Sequence, residues 1–64
     1  MTLAQRIVNN PAAYVSRTSS LATARKWARE ANGRIIAATP GQWWVTRSGA
    51  VAKALREAGF EAIA

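Results

Sequence analysis

Neither cysteine nor histidine occurs among the 64 residues of this chain, which limits how it can be stabilised. Disulfides are excluded, and so are the zinc ligand sets that hold many small domains together. A chain of this length buries only about 60% of the surface that its unfolded form exposes, so its core is thin. We therefore predict a single domain over residues 1–64 that depends on its large aromatic side chains: Tyr14, Trp27, Trp43, Trp44 and Phe60.

The charge of the chain is strongly positive and unevenly distributed. Nine lysine and arginine residues stand against three acidic residues, which gives a net charge of +6. All three acidic residues follow residue 29, so all charged side chains of residues 1–29 are positive. Such a surface suits a polyanion, although the same charge could simply keep a small domain soluble.

No stretch of the sequence has the length and apolarity of a membrane span, and no signal-peptide pattern is present. We expect a soluble intracellular protein with no membrane partner.

The first part of the chain is weakly marked. Residues 1–8 fit either a frayed helix or a short strand. Asn9-Asn10-Pro11 then resembles a helix start, because asparagine is a good N-cap and proline is preorganised for the first helical position. We predict a short helix from there to about residue 17.

The clearest helix is predicted over residues 21–31. Ser20 can cap its start, and Asn32-Gly33 can end it in the left-handed conformation. At about 100° per residue, an apolar face contains Leu21, Ala24, Trp27, Ala28 and Ala31. The opposite face is centred on Ala22, Lys26 and Arg29, flanked by Thr23 and Arg25.

A hairpin is predicted next, with strands at residues 34–38 and 43–47 joined by Thr39-Pro40-Gly41-Gln42. Proline followed by glycine favours a type II turn. Both strand faces are apolar, so the pattern leaves open which of Trp43 and Trp44 is buried. We favour Trp43 inside and Trp44 outside, on the assumption that Trp43 shares a face with Ile36 and Val45.

A last helix is predicted from a cap at Ser48 to about residue 58, and Gly59 is a natural stop. Phe60 can then fold back onto the last turn, and Ile63 is expected to close the bottom of the core. The residues expected to face inward are Val51, Ala54, Leu55 and Ala58.

The helix at residues 20–30 resembles the recognition helix of phage and mobile-element excisionases, the lambda type in particular. It has that family's Ser-Leu, Thr, paired basic residues, Trp and Arg-Glu in the sequence SLATARKWARE. When the alignment with that family is continued without a gap, Gly41 falls on the family's wing-tip glycine. Trp44-Val45 then match an aromatic–aliphatic pair in its second wing strand, and Ala50-Val51 match the start of the helix after the wing. The resemblance covers residues 18–55, and the helix motif is shared with the wider MerR-like winged helices.

This resemblance implies a small α+β winged-helix domain, ordered helix, recognition helix, β-hairpin wing and helix. It also implies a non-enzymatic, sequence-specific architectural protein that binds double-stranded DNA cooperatively and bends it. Such a protein directs a tyrosine-type integrase towards DNA excision during recombination, and it can also regulate transcription by repressing a promoter. The implied partners are the DNA, the integrase and other copies of the chain, with no cofactor and no metal. The implied location is the cytoplasm of a bacterial host cell, in association with the nucleoid.

Two positions depart from the family pattern. Gln42 stands where the family has a wing arginine for the minor groove, and Ala22 stands where it has an acidic base-reading residue. A glutamine can still hydrogen-bond acceptors in the minor groove, but it exerts less electrostatic attraction. The target DNA sequence therefore does not carry over.

The expected DNA contacts follow from the helix face and the resemblance. Lys26 and Arg29 would meet base edges or phosphates, and Arg25 would meet a phosphate. The turn before the helix and the helix start carry Arg17, Ser19 and Ser20, which could bind a phosphate. Capping of the helix explains the two serines equally well. A solvated helix face decorated by a Lys26–Glu30 pair is the alternative. The remaining candidates are Arg17, Ser19, Ser20, Ala22, Thr23 and Gln42.

An exposed Trp44 could contact a neighbouring copy or the integrase.

Catalysis is not expected, because no serine has a histidine to activate it and no other nucleophile–base pair is apparent. A second, non-enzymatic class stays open. With strands near residues 13–16 and 61–63, the chain also reads as a βαββαβ protein. Such a protein could be a phage-encoded inhibitor that binds a host protein instead of DNA. Steep salt dependence of DNA binding, or a neighbouring integrase gene, would separate the two.

Overall fold

The computed structural model describes residues 1–39 and 41–63. Three α-helices and four strands follow one another, with a 3₁₀ turn, Pro11–Ala13, after the first helix. The helices are α1 (Leu3–Asn9), α2 (Leu21–Ala31) and α3 (Gly49–Glu57). The strands are β1 (Ser16–Thr18), β2 (Arg34–Thr39), β3 (Gln42–Thr46) and β4 (Glu61–Ala62).

The four strands form one antiparallel sheet in the order β1-β3-β2-β4. The β2–β3 hairpin lies at its centre, and the short strands β1 and β4 form its edges. Helix α2 connects β1 to β2, and α3 connects β3 to β4, each across one intervening strand. Both connections cross the sheet in the same direction, towards β4. The strands from which they start, β1 and β3, run antiparallel to each other. The right-handed preference of such crossovers therefore places α2 and α3 on opposite faces.

The core accordingly consists of two clusters, one on each face of the sheet. On one face, α1 and α3 pack over Ile36 and Trp44, with Ile7, Val15, Val51 and Leu55 completing the buried set. On the other face, Ala24 and Ala28 of α2 pack over Ile35 and Val45. Because neighbouring strand residues point to opposite faces, each central strand supplies both clusters and carries no polar face.

These observations confirm an α+β domain with the predicted order of helix, basic helix, hairpin and helix. They do not confirm the winged-helix arrangement. The hairpin is flanked by a strand on each side, and α2 contacts strands only in the described part of the chain. From β1 to β4 the order is βαββαβ, which is the order of the alternative reading.

Of the two alternatives for residues 1–8, the helix is confirmed, whereas the helix predicted from residue 9 to about residue 17 was wrong. Residues 3–9 form a helix because Thr2 and Gln5 make a reciprocal capping box: the Gln5 backbone N–H donates to Thr2 Oγ1 (3.2 Å), and the Thr2 N–H donates to Gln5 Oε1 (2.8 Å). The expected helix to residue 17 is only the 3₁₀ turn, followed by β1. Asn10 lies before the proline as expected, but its side chain makes no capping hydrogen bond.

The expected orientation of the two hairpin tryptophans was also wrong. Trp44 is buried, with 7% of its surface exposed, whereas Trp43 is half-buried beside α2. The register explains the reversal, because Ile36 pairs with Trp44 and not with Trp43. A shift of one residue exchanges the faces of a strand. Trp44 is therefore not a surface for contacts with a neighbouring copy or an integrase.

Helix α3 follows the prediction closely at its start and less closely at its end. Ser48 Oγ accepts a hydrogen bond from the Val51 backbone N–H (3.2 Å), so the predicted cap is confirmed. Val51 and Leu55 are buried as expected, while Ala58 is exposed. Ile63 is also exposed and does not close the core, because β4 holds it at the edge of the sheet.

Candidate nucleic-acid interface

Both ends of helix α2 are fixed by local hydrogen bonds. At its start, Ser20 Oγ accepts a hydrogen bond from the Thr23 backbone N–H (3.2 Å). At its end, Asn32 adopts the left-handed conformation (φ 54°), and the Gly33 N–H donates to the Ala28 carbonyl oxygen (2.8 Å). The predicted start and stop of this helix are therefore confirmed.

The buried face of α2 is made of small side chains. Ala24 and Ala28 are buried against Ile35 and Val45, and alanine lets the helix axis lie close to the sheet. Trp27 packs against the same cluster but remains half-buried. The predicted apolar face is confirmed, although Trp27 lies at the margin of the core and not at its centre.

The outer face of α2 is cationic and open to solvent. Arg25, Lys26 and Arg29 are exposed, together with Ala22 and Glu30, while Thr23 is half-buried. In the described part of the chain, the only lysine or arginine within 4.0 Å of a carboxylate is Lys53, which pairs with Glu57 (3.9 Å). The expected alternative pair between Lys26 and Glu30 is thus not formed. The positive charge of α2 is not neutralised by a local ion pair.

The register also brings the start of α2 next to the tip of the hairpin. Thr18 pairs with Trp43, so Ser19 and Ser20, which follow Thr18, lie at the same end of the sheet as Gln42. All three are exposed. Thr18 supports this turn, because its Oγ1 accepts a hydrogen bond from the Ser20 N–H (3.1 Å). Arg29 lies nine residues beyond Ser20, a distance of about 14 Å along the helix.

Arg17 departs from the other candidates. It pairs with Trp44 in β1, so its exposed side chain lies on the face of the sheet opposite α2. The structure therefore places seven of the nine candidate residues on α2 and on the turn before it. Gln42 lies at the same end of the sheet, but it is two residues from Trp44 in β3, so the pleat directs its side chain to the face opposite α2. Arg17 lies on that face too.

The structure also reveals basic residues that the sequence reasoning did not single out. Arg34 begins β2 opposite Thr46, and Arg47 follows Thr46, so both lie at the base of the hairpin. Arg47 follows β3 at the end of the sheet where α2 terminates. The Arg34 side chain, two residues before Ile36, lies on the face opposite α2 and does not extend this interface. Both are exposed. Arg34 comes directly after a helix stop, and Arg47 comes directly after a strand. Because charged residues at such boundaries point to solvent, these positions were the signal in the sequence that both side chains are exposed.

Residues 1–39 and 41–63 contain no group of three or more His, Cys, Asp or Glu side chains placed to hold a metal ion. They also contain no helix that could cross a membrane. In comparisons with known proteins, no family model, curated protein or solved structure matches this chain.

Proposed function

We propose that this protein is a non-enzymatic DNA-binding protein whose helix α2 enters the major groove of duplex DNA. One observation carries the proposal. Helix α2 lies alone on its face of the sheet and presents Arg25, Lys26 and Arg29 to solvent, with no carboxylate within 4.0 Å among the described residues.

The dimensions support the proposal. An α-helix with its side chains is about 10–12 Å across, and the major groove is about 12 Å wide. No second helix packs on the α2 face in the described residues, because α1 and α3 lie on the opposite face. A duplex can therefore approach α2 along its whole length of about 16 Å.

The side chains divide into two kinds of contact. Lys26 lies directly opposite the buried alanines of α2, and Arg29 lies about 120° from them on the same exposed face, which also carries Glu30. Both basic residues are placed for base edges, where an arginine can bind guanine with two hydrogen bonds worth about 1–3 kcal/mol of discrimination. Ser20, whose oxygen already accepts the capping bond, still has a hydroxyl proton to donate to a phosphate. Ser19 and Gln42 lie at the same end of the helix, where the helix dipole also favours an anion.

The finer proposal is an architectural role of the excisionase type. The protein would bind several sites cooperatively, bend the DNA and direct a tyrosine-type integrase towards excision. Its support is the resemblance of residues 18–55 together with the exposed position of Gln42 at the hairpin tip. The central position of the hairpin in the sheet weighs against a free wing, since only the turn end of the hairpin projects beyond the flanking strands.

A second candidate function, binding to a host protein, is favoured by different observations. The order βαββαβ from β1 to β4 is that of the alternative reading. In addition, the apolar side chains of Leu3 and Val8 in α1, and of Met1 just before it, are exposed. Apolar residues grouped on one helix suit a protein partner better than a nucleic acid.

Titration of duplex DNA over a range of salt concentrations tests the proposed function and separates the two candidates. If the protein neutralises about five phosphates, log K should fall against log salt with a slope near −4 to −5. Duplex carrying an element's attachment site, compared with unrelated duplex, tests the finer proposal. Absence of duplex binding at low salt would contradict DNA binding and leave the host-protein candidate.

A further inference from the structure

A second basic surface lies on the side of the sheet away from α2. Arg34 precedes Ile36 by two residues, so its side chain projects from the face that α1 and α3 cover. Arg56 lies in the last turn of α3. Both arginines are exposed, and both line one cavity of about 210 Å³ together with Ala52, Ala62 and Ile63.

The lining of this cavity suits a phosphate group. Two arginines and three apolar residues line the cavity, and none of its lining residues in the described part of the chain is acidic. Two positive charges that face the same cavity repel each other unless an anion lies between them. The planar guanidinium group of an arginine can also donate two hydrogen bonds to the oxygens of a phosphate. The cavity is smaller than the roughly 300–1,000 Å³ of most small-molecule sites, so it fits a phosphate on a DNA strand better than an enclosed ligand.

We propose that the cavity between Arg34 and Arg56 binds a backbone phosphate of a second DNA segment, so that one protein molecule bridges two duplexes. This inference rests on the proposed function, because the first duplex is bound by α2. The two surfaces lie on opposite sides of the sheet, and a straight duplex in contact with one leaves the other open.

The size of the protein is compatible with two duplexes at once. Even the shortest principal extent of the molecule, 19 Å, exceeds the Debye length of about 8 Å at physiological ionic strength. The repulsion between the two bound duplexes is therefore largely screened. Bridging would hold separate sites together, as a protein that organises bent or looped DNA requires.

A two-duplex capture experiment tests the inference. One duplex is fixed to beads, a fluorescent duplex is left free, and the protein is added at an ionic strength at which it binds DNA. The test variant is Arg34→Gln/Arg56→Gln. The matched control is Arg6→Gln/Lys53→Gln, which removes two positive charges from exposed positions of α1 and α3 outside the cavity. Circular dichroism establishes that both variants are folded, and fluorescence anisotropy measures their binding to a single duplex.

We expect the wild-type protein and the control to retain the fluorescent duplex. The test variant should retain about tenfold less of the fluorescent duplex, which is the loss expected for one charge-assisted contact, while its affinity for a single duplex stays close to that of the control.

Equal capture by the two variants would overturn the inference. So would a wild-type protein that binds single duplexes without capturing the second, and in that case the proposed function would stand. A wild-type protein that binds no duplex refutes the proposed function itself, and bridging with it. A dimer of the free protein in light scattering that dissociates only in the test variant would also overturn the inference, because the cavity would then join two proteins.

Discussion

The indole ring of Trp44 is stacked on the phenyl ring of Phe60, with the ring centroids 5.6 Å apart and the ring planes inclined by 29°. Trp44 belongs to a central strand, whereas Phe60 follows α3. Gly59 reverses the chain with a φ of 101°, and the Phe60 N–H then donates to the Leu55 carbonyl oxygen (3.0 Å). The contact therefore joins the end of the last helix to the middle of the sheet.

Replacement of Trp44 by alanine should unfold the protein at ordinary temperature. Truncation of a buried tryptophan costs about 3–5 kcal/mol, which is comparable to the whole stability that so small a core supplies. Trp43→Ala is the matched control, because Trp43 is half-buried and should leave a cooperative transition. Denaturant titration followed by far-UV circular dichroism measures both variants. A more severe loss for Trp43→Ala would contradict the observed strand register.

The stacking of Trp44 and Phe60 should appear as a coupling energy. In a double-mutant cycle with Trp44→Leu and Phe60→Leu, we expect the two losses to be non-additive by about 0.5–1.5 kcal/mol. Leucine retains apolar volume, so both single variants should stay folded enough to measure. Additive losses would mean that the two rings contribute only by burial.

The tryptophan reversal shows which parts of this fold the sequence predicts. The limits of α2 were predictable because Ser20 and Asn32-Gly33 act within a few residues of the helix ends. The buried face was predictable because Ala24 and Ala28 recur at helical spacing. The hairpin register was not, since both faces of β2 and β3 are covered by helices and neither face is polar. The alternation of apolar and polar residues that normally fixes a strand's orientation is therefore missing.

The N-terminal helix illustrates a signal that was present but weak. Thr2 and Gln5 have the spacing of a capping box, and Ile7 is the single buried residue of a helix of seven. So short a helix has little stability of its own and depends on its contact with α3. The positions of the candidate side chains on α2 were predicted better than the fold around them, because their exposure depends on that helix alone. Arg17 was misplaced because its position depends on the sheet.

Gly33→Ala should destabilise the protein. A Cβ atom at residue 33 would lie 2.7 Å from the backbone oxygen of Thr46 and 3.2 Å from its carbonyl carbon, so the backbone would have to move. We expect a loss of about 1–3 kcal/mol, typical of overpacking. Gly49→Ala is the control, because nothing lies within 4 Å of its Cβ and alanine should favour α3 by up to about 1 kcal/mol. Thermal melts should move in opposite directions, and equal melting temperatures would argue against the close approach at Gly33.

Ser20→Asp separates the capping role of Ser20 from a role in DNA binding. Aspartate caps a helix about as well as serine and its charge is favourable near a helix start, so stability should be unchanged or slightly higher. If the start of α2 lies against a phosphate, the added negative charge should weaken duplex binding. Ser48→Asp makes the same change at the cap of α3, at the opposite end of the sheet from the start of α2, and should weaken binding less. Equal effects at the two positions would indicate a response to net charge alone.

Lys26→Ala and Arg29→Ala should each weaken duplex binding by about 1–3 kcal/mol and leave the fold intact. Both side chains are exposed, and no carboxylate among the described residues lies within 4.0 Å of either, so their removal costs no ion pair. Lys53→Ala is the matched control: it removes one charge from α3 on the opposite face and loses only a surface pair with Glu57.

Loss of a base contact and loss of a phosphate contact have different effects on the salt slope and on the preference for the target duplex. Loss of a phosphate contact should reduce the salt slope by about one and weaken all duplexes alike, whereas loss of a base contact should narrow the difference between target and unrelated duplex. Salt titrations of the three variants, with circular dichroism as the test of folding, distinguish these outcomes. An affinity of both α2 variants equal to that of Lys53→Ala would show that α2 does not enter the groove.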